Sequence, residues 1–405
     1  MQALRFSFTI PQAAAVKAAG LVARKAFYSG PLAVVRLEEI EKPRLPADDW
    51  LLLKVRMCGF CASDLNLILM RESLTAMPFT SFPCTIGHEV CAEVVETGKN
   101  AAGFSRGDRV VVAPPLGCAT RAIDPACSAC ASGMPNSCEN MARGGLAPGM
   151  FSGICKDAGG GFAPYMAAHA SQLYRIPDGL SDEEGALVEP FAVGLAAVMG
   201  NLPRHDDHVL VVGGGVIGAM TVAAIRGLGK RSHVTVVEPS PFHARKCRDL
   251  GADNVIAETG FIEKAAEVCG ATSYKSIVGA PILMGGFDKV FDTVGNTPTL
   301  NASMRVLAAG GVMSVVGIGG DVKLDLTPLW LKNQTVKGVL GYGYVRYEGA
   351  TRHVFDIAVD MMAQGAVSLE DMVTHRYRLD QYVEMIETNM AKPRHHAIKT
   401  VVSFT

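Results

Sequence analysis

Two patterns of apolar and polar positions divide the chain. Up to about residue 190, short apolar runs alternate with polar residues between Gly and Pro turns, as in AVVRLEEI (33–40), WLLLKVRM (50–57), HEVCAEVVETG (88–98) and GDRVVVAP (107–114). Short β-type runs bounded by turn residues predict strands, hence a compact β-rich domain over 1–192. From 193 to 342 the pattern changes: HVLVVGG, SHVTVVEPS, FDKVFDTVG and VMSVVGIGG alternate with MTVAAIRGLG, FHARKCRDLGA and LNASMRVLAAGG. This β-α alternation predicts a doubly wound parallel sheet, so the fold class is α/β. In 343–405, two amphipathic helices (HVFDIAVDMMAQG, LDQYVEMIETNM) precede a strand, HAIKTVVSF, expected to return to the first domain.

Composition narrows the function classes. Lys plus Arg (38) nearly balance Asp plus Glu (39), with no basic block, so neither nucleic acid nor an anionic membrane is the expected partner. The uncharged run from Val209 to Ile225 is broken by consecutive glycines, which fits a buried strand, turn and helix better than a membrane span. Phe6–Ile10 is too short and polar for a signal-peptide core. The cysteines number 11, an odd count, which fits reduced thiols and metal ligands in the cytoplasm.

Four of those cysteines crowd one turn-rich segment, about 114–142: Cys118, Cys127, Cys130 and Cys138. Pro, Gly, Ala and Ser fill the gaps, leaving little apolar surface to fold the loop. Four thiolates at this spacing suit one tetrahedral zinc, and a fully cysteinyl site is structural because it keeps no open position.

Further on, Gly213-Gly214-Gly215-Val216-Ile217-Gly218 follows a strand and opens a helix. Gly213 makes the tight turn, Gly215 lets a pyrophosphate approach the backbone, and Gly218 lets helix and strand pack. Exposed amides of the helix start, at Val216 and Ile217, are then free for phosphate. Glu238 ends the next strand, where a carboxylate holds ribose hydroxyls and repels a 2′-phosphate; NAD is expected over NADP.

A second cysteine pair sits in Met57-Cys58-Gly59-Phe60-Cys61-Ala62-Ser63-Asp64, followed by Gly87-His88-Glu89 and Val188-Glu189-Pro190. A thiolate, an imidazole and one or two carboxylates suit a catalytic zinc with a water position. Taken singly, Cys61 is equally a core thiol, His88 a turn histidine, and Glu89 or Glu189 a solvated charge.

In order and type these motifs, with Gly159-Gly160-Gly161-Phe162, resemble the zinc-dependent medium-chain dehydrogenase/reductase family, in its sorbitol and threonine dehydrogenase branch. The resemblance covers nearly the whole chain and implies a GroES-like catalytic domain beside a Rossmann domain. It aligns Cys61 and His88 with the catalytic zinc ligands, and Glu89 and Glu189 with carboxylates that bind zinc directly or through its water. It leaves Cys58 as a buried strand residue, places Asp64 behind the ligands, and makes Ser63 the first proton acceptor. The implied activity is hydride transfer between NAD(H) and an alcohol/carbonyl pair, with one catalytic and one structural zinc per chain. A homodimer or homotetramer is expected. Two departures stand out: Asn66 occupies the place of a relay histidine, and the common lobe spacing would put the first ligand at Asp124 rather than Cys118. Leu65, Leu67, Ile68, Met70, Met77, Phe79 and Phe82 surround the zinc motif and hint at an apolar alcohol, although ordinary core packing explains them equally well. Zinc-free quinone or enoyl reductases, and a non-catalytic NAD-binding sensor, are the competing readings.

Overall fold

The computed structural model describes residues 1–101, 103–257, 260–317 and 320–405. It forms two compact units. The first comprises Met1–Glu189, Tyr342–Ala363 and Ser368–Thr405, and the second Pro190–Gly341 with Gln364–Val367.

The first unit is built on a sheet in the order Val373–Tyr377, Lys399–Ser403, Trp50–Gly59, Glu89–Thr97, Arg109–Val112, Leu173–Arg175, with Tyr165–His169 also paired to Trp50–Gly59. A smaller antiparallel sheet joins Val35–Glu39, Gln2–Phe6 and Cys84–Thr85. Leu51, Leu53, Val55, Val90, Val94, Val110 and Val402, from strands that the apolar runs predicted, are buried in one cluster. The last strand pairs with Trp50–Gly59, register Val401 to Gly59, and so carries Lys399 beside the strand that ends at the Cys61 motif.

The second unit holds a parallel sheet in the order Asn254–Ile256, His233–Val237, His208–Val212, Phe287–Asp292, Leu307–Val315, Thr335–Gly338. Numbered along the chain within this unit, that order reverses direction beside His208–Val212, the arrangement that opens a crevice at the strand ends.

Two local expectations change. LNASMRVLAAGG is not helical throughout: the helix Thr297–Val306 stops and Leu307–Val315 is already strand, where Gly310 and Gly311 lower helix propensity. Residues 318 and 319 of the strand expected there lie outside the described residues. The N-terminal segment, expected to be β-rich, contains the helix Ile10–Gly20. Its start is a reciprocal cap, in which Gln12 N donates to Thr9 Oγ1 and Thr9 N to Gln12 Oε1, with Pro11 in the first turn. Its run of alanines gives helix propensity without the apolar stripe that a pattern search looks for.

Candidate active site and metal centres

Strand Trp50–Gly59 ends just before Cys61, which precedes the helix Ala62–Ile68. Asp64, in the first turn, accepts the Cys61 N–H on Oδ2 at 2.9 Å, fixing the backbone that presents the thiol. Its other oxygen lies 3.4 Å from His88 Nδ1. Ser63 Oγ lies 3.4 Å from the opposite ring nitrogen, Nε2. Glu89 opens strand Glu89–Thr97 opposite Gly59. A Cβ on Gly59 would stand 1.9 Å from Glu89 Oε2, so only glycine lets that carboxylate turn inward. As a result one Cys61 sulfur, one His88 ring nitrogen and one Glu89 oxygen lie within 4.8 Å of one another.

Buried charges here have partners. Lys399 Nζ bonds both Glu89 oxygens at 2.5 Å, and both side chains are almost fully enclosed. Burial is the largest single influence and would depress the ammonium, but the charges of Glu89, Cys61 and Glu189 together with the Glu89 hydrogen bond hold the Lys399 pKa above its usual value. Burial likewise opposes a charged His88, yet Asp64 and Cys61 keep the imidazolium favoured well above the ordinary range. Glu189, in the helix Asp182–Gly200, stands outside the three-residue group and accepts a hydrogen bond from the Tyr342 hydroxyl. Burial, and then the Glu89 charge, push its carboxyl up to about 7. Cys58 is fully buried in its strand and outside the group, and its thiol is pushed well above the usual range, chiefly by burial.

The sequence reading missed Lys399 and Tyr342. A lone lysine inside the apolar run AIKTVVSF was a usable signal, because a buried ammonium demands a carboxylate. Nothing local marks Tyr342.

In the cysteine lobe, the sulfurs of Cys118, Cys127, Cys130 and Cys138 also converge within 4.8 Å. Asp124 is exposed and outside that group. Backbone N–H groups of Cys118, Cys127, Glu139 and Asn140 donate to the sulfurs at 3.3–3.4 Å, which favours thiolates. Fully buried Arg121 ties the surrounding loops together, donating to the carbonyls of Leu116, Arg143, Leu146, Ala147 and Gly149. All eleven cysteines are free of disulfides.

In the second unit, Gly213 has φ +93°, and a Cβ on Gly218 would lie 1.8 Å from the Gly213 carbonyl oxygen. Both glycines are therefore steric requirements of the turn. Among the described residues nothing lies within 4 Å of the Cβ position of Gly215, at the start of helix Val216–Gly227, where Val216 and Ile217 begin the first turn. Glu238 accepts from Gly214 N and Ser240 N, both at 2.8 Å, at the end of strand His233–Val237.

Both donor sets fit zinc: four thiolates in one case, and thiolate, imidazole and carboxylate in the other. The glycine turn fits a dinucleotide.

Residues 47–178 match the alcohol dehydrogenase GroES-like domain, and residues 216–363 the zinc-binding dehydrogenase domain. The (R,R)-butanediol dehydrogenase of Bacillus subtilis is 31% identical over 86% of this chain and 91% of that protein. The chain belongs to the zinc-dependent medium-chain dehydrogenases. The crystal structure of the 2R,3R-butanediol dehydrogenase from Bacillus subtilis superposes on this dehydrogenase with a TM-score of 0.71 at 27% identity, covering 92% of this chain and 96% of that one. A zinc-binding dehydrogenase of Sinorhizobium meliloti 1021, solved bound to NADP, gives 0.70 at 28% identity over 91% of this chain and 95% of that one. The fold class and the reaction class expected from the sequence both hold: a GroES-like domain plus a Rossmann domain, in an oxidoreductase that uses zinc and a nicotinamide cofactor on small-molecule alcohols. No helix among the described residues is long and apolar enough to cross a membrane.

Proposed function

We propose that this dehydrogenase transfers hydride between NAD(H) and a secondary alcohol, polyol or amino alcohol, with Cys61, His88 and a carboxylate holding a catalytic zinc. The observation that carries this reading is the convergence of Cys61, His88 and Glu89 with the Ser63 hydroxyl against the same imidazole. Zinc, when bound, supplies Lewis-acid polarisation of the substrate oxygen. The nicotinamide supplies the hydride acceptor.

The remaining work falls to the chain. Asp64 holds His88 through Nδ1, so that Nε2 is the ring nitrogen turned toward Ser63. Ser63 takes the proton of the substrate hydroxyl. With Asn66 at the relay position, that proton leaves through water or cofactor hydroxyls. Lys399 balances the charge of Glu89 and fixes its direction. Glu189, held by Tyr342, is the alternative carboxylate.

Cys118, Cys127, Cys130 and Cys138 hold a second, structural zinc. Gly213, Gly215, Val216, Ile217 and Gly218 receive the pyrophosphate, and Glu238 selects NAD over NADP by repelling a 2′-phosphate. The protein acts in the cytoplasm as a homodimer or homotetramer.

Zinc analysis combined with NAD and NADP reduction across an alcohol and polyol panel tests this reading. About two zinc ions per chain with NAD-linked turnover is the expected result. One zinc and no turnover with any alcohol overturns it in favour of a reductase or sensor role.

A further inference from the structure

Helix Ala62–Ile68 carries Ser63 at its start and Leu67 one turn later. The two side chains share a helix face, separated by about 6 Å along the axis. Leu67 lines an open cavity of about 340 Å³, bordered by the N-terminal strand end, the helix Ile10–Gly20 and the turn Leu74–Phe79. Such a volume falls within the range of roughly 300–1,000 Å³ typical of small-molecule sites.

The lining is apolar for definite reasons. Phe6, Phe8 and Phe82 pack as a mutual cluster, with ring centroids 5.0 to 5.8 Å apart, and form one wall. Opposite them, Ala13 and Ala14 contribute only methyl groups and so leave the space open. Leu74 and Met77 line the cavity yet are 71% and 45% exposed, so its mouth presents apolar surface to water. Among the described residues, Lys17 and Glu72 are the charged lining groups. Glu72 is the lining group that senses the neighbouring site: burial, then the Asp64 charge, raises its carboxyl, while His88 opposes the rise. Phe6, Phe8 and the helix precede the matched segment 47–178, so this part of the wall lies outside the shared domain.

We propose that this cavity receives the apolar substituent, an alkyl chain or aryl ring, of the alcohol that reacts at Ser63, which makes the substrate class apolar alcohols and their ketones rather than polyols. The proposal rests on the dehydrogenase reading above. A polyol placed here would find few partners for its hydroxyls, because Ser73 and Thr80 supply the only hydroxyls of the lining.

The test uses the zinc-loaded enzyme with NAD and alkan-2-ols from propan-2-ol to decan-2-ol, together with 1-phenylethanol, sorbitol and 2,3-butanediol. kcat/KM rises about fourfold per added methylene until the cavity is filled. Ala14→Trp, which fills the space, and Met77→Glu, which charges it, each lower the long-to-short ratio of kcat/KM by at least about tenfold. Calorimetry of decan-2-one binding without cofactor shows a matching loss. A flat series, a preference for sorbitol, or variants with the parent ratio and parent ketone affinity overturns the cavity assignment and leaves the dehydrogenase reading standing. No turnover with any alcohol overturns both.

Discussion

The cysteine lobe and the Cys61 site both gather soft and borderline ligands, but they are assembled in opposite ways. In the lobe, all four sulfurs come from Cys118 to Cys138 on loops and short turns, and nearby backbone amides bond them. The loop itself is rich in Pro, Gly, Ala and Ser and brings few large apolar side chains, so a metal held by these thiolates would supply folding energy. At the Cys61 site, each donor stands at the end of a strand or the mouth of a helix and is steadied by another side chain: Asp64 for His88 and the Cys61 backbone, Lys399 for Glu89. A site carried by a rigid sheet keeps its shape when one ligand is lost. A site that is itself the fold does not.

The sharpest way to break this comparison is to remove one sulfur from each. Cys61→Ala lowers kcat by at least roughly 10²–10³-fold, the scale of losing one preorganised electrostatic stabiliser, with little change in melting temperature. Cys138→Ala instead costs several kcal/mol of stability, because structural zinc binding is folding free energy. Activity and thermal melts measured on both variants decide the matter, and equal destabilisation would remove the distinction.

Lys399→Met probes the buttress. It leaves Glu89 buried without its cation, and loss of one partner of a buried pair costs about 3–5 kcal/mol. Comparing urea midpoints with and without chelator shows whether the carboxylate is anchored by the fold: a loss that appears only in chelated protein would assign the anchoring to metal.

His353 sharpens the lobe side. It stacks on Tyr174 with centroids 4.8 Å apart, accepts from Gly343 N, and borders the same cavity as Cys118 and Cys130. Burial lowers its pKa from 6.5 to about 4. Because the unfolded chain takes up this proton first, its stabilising contribution is complete above about pH 6.5 and is lost as pH falls toward 4, up to about 3 kcal/mol. Melting curves of the parent and of His353→Gln should converge in acid; a parallel offset across pH 4–7 would contradict the assignment.

The smallest expected effect is that of Asp64→Asn. Altering a group that orients a metal ligand costs roughly 10–100-fold in metal affinity or activity, without the fold loss expected of the lobe variant. Zinc titration alongside kcat measures it.

Local sequence carried much of this. The lobe was legible because its four ligands fall within one short segment whose spacing expresses its chemistry directly. The glycine turn was legible because the positive φ of Gly213 and the contact of Gly218 with the Gly213 carbonyl both lie within six residues of chain. The β-type runs and the β-α alternation marked which segments are strands, with His208–Val212 and His233–Val237 of the parallel sheet buried nearly throughout. The helix Ile10–Gly20 escaped because its signal lies in caps and alanines rather than in an amphipathic stripe.

What tertiary structure alone decided are the pairings across long separations. Lys399 meets Glu89 across 310 residues, and Tyr342 meets Glu189 across 153. No periodicity or spacing encodes such contacts, since they exist only once the last strand pairs with Trp50–Gly59 and Tyr342 returns to the first unit. The sequence by itself determined which side chains could bind zinc and dinucleotide, because those ligand types follow from short-range chemistry. Which carboxylate is held by a lysine, which by a tyrosine, and which apolar residues enclose a cavity rather than a core, follows from how distant segments fill space around one buried charge.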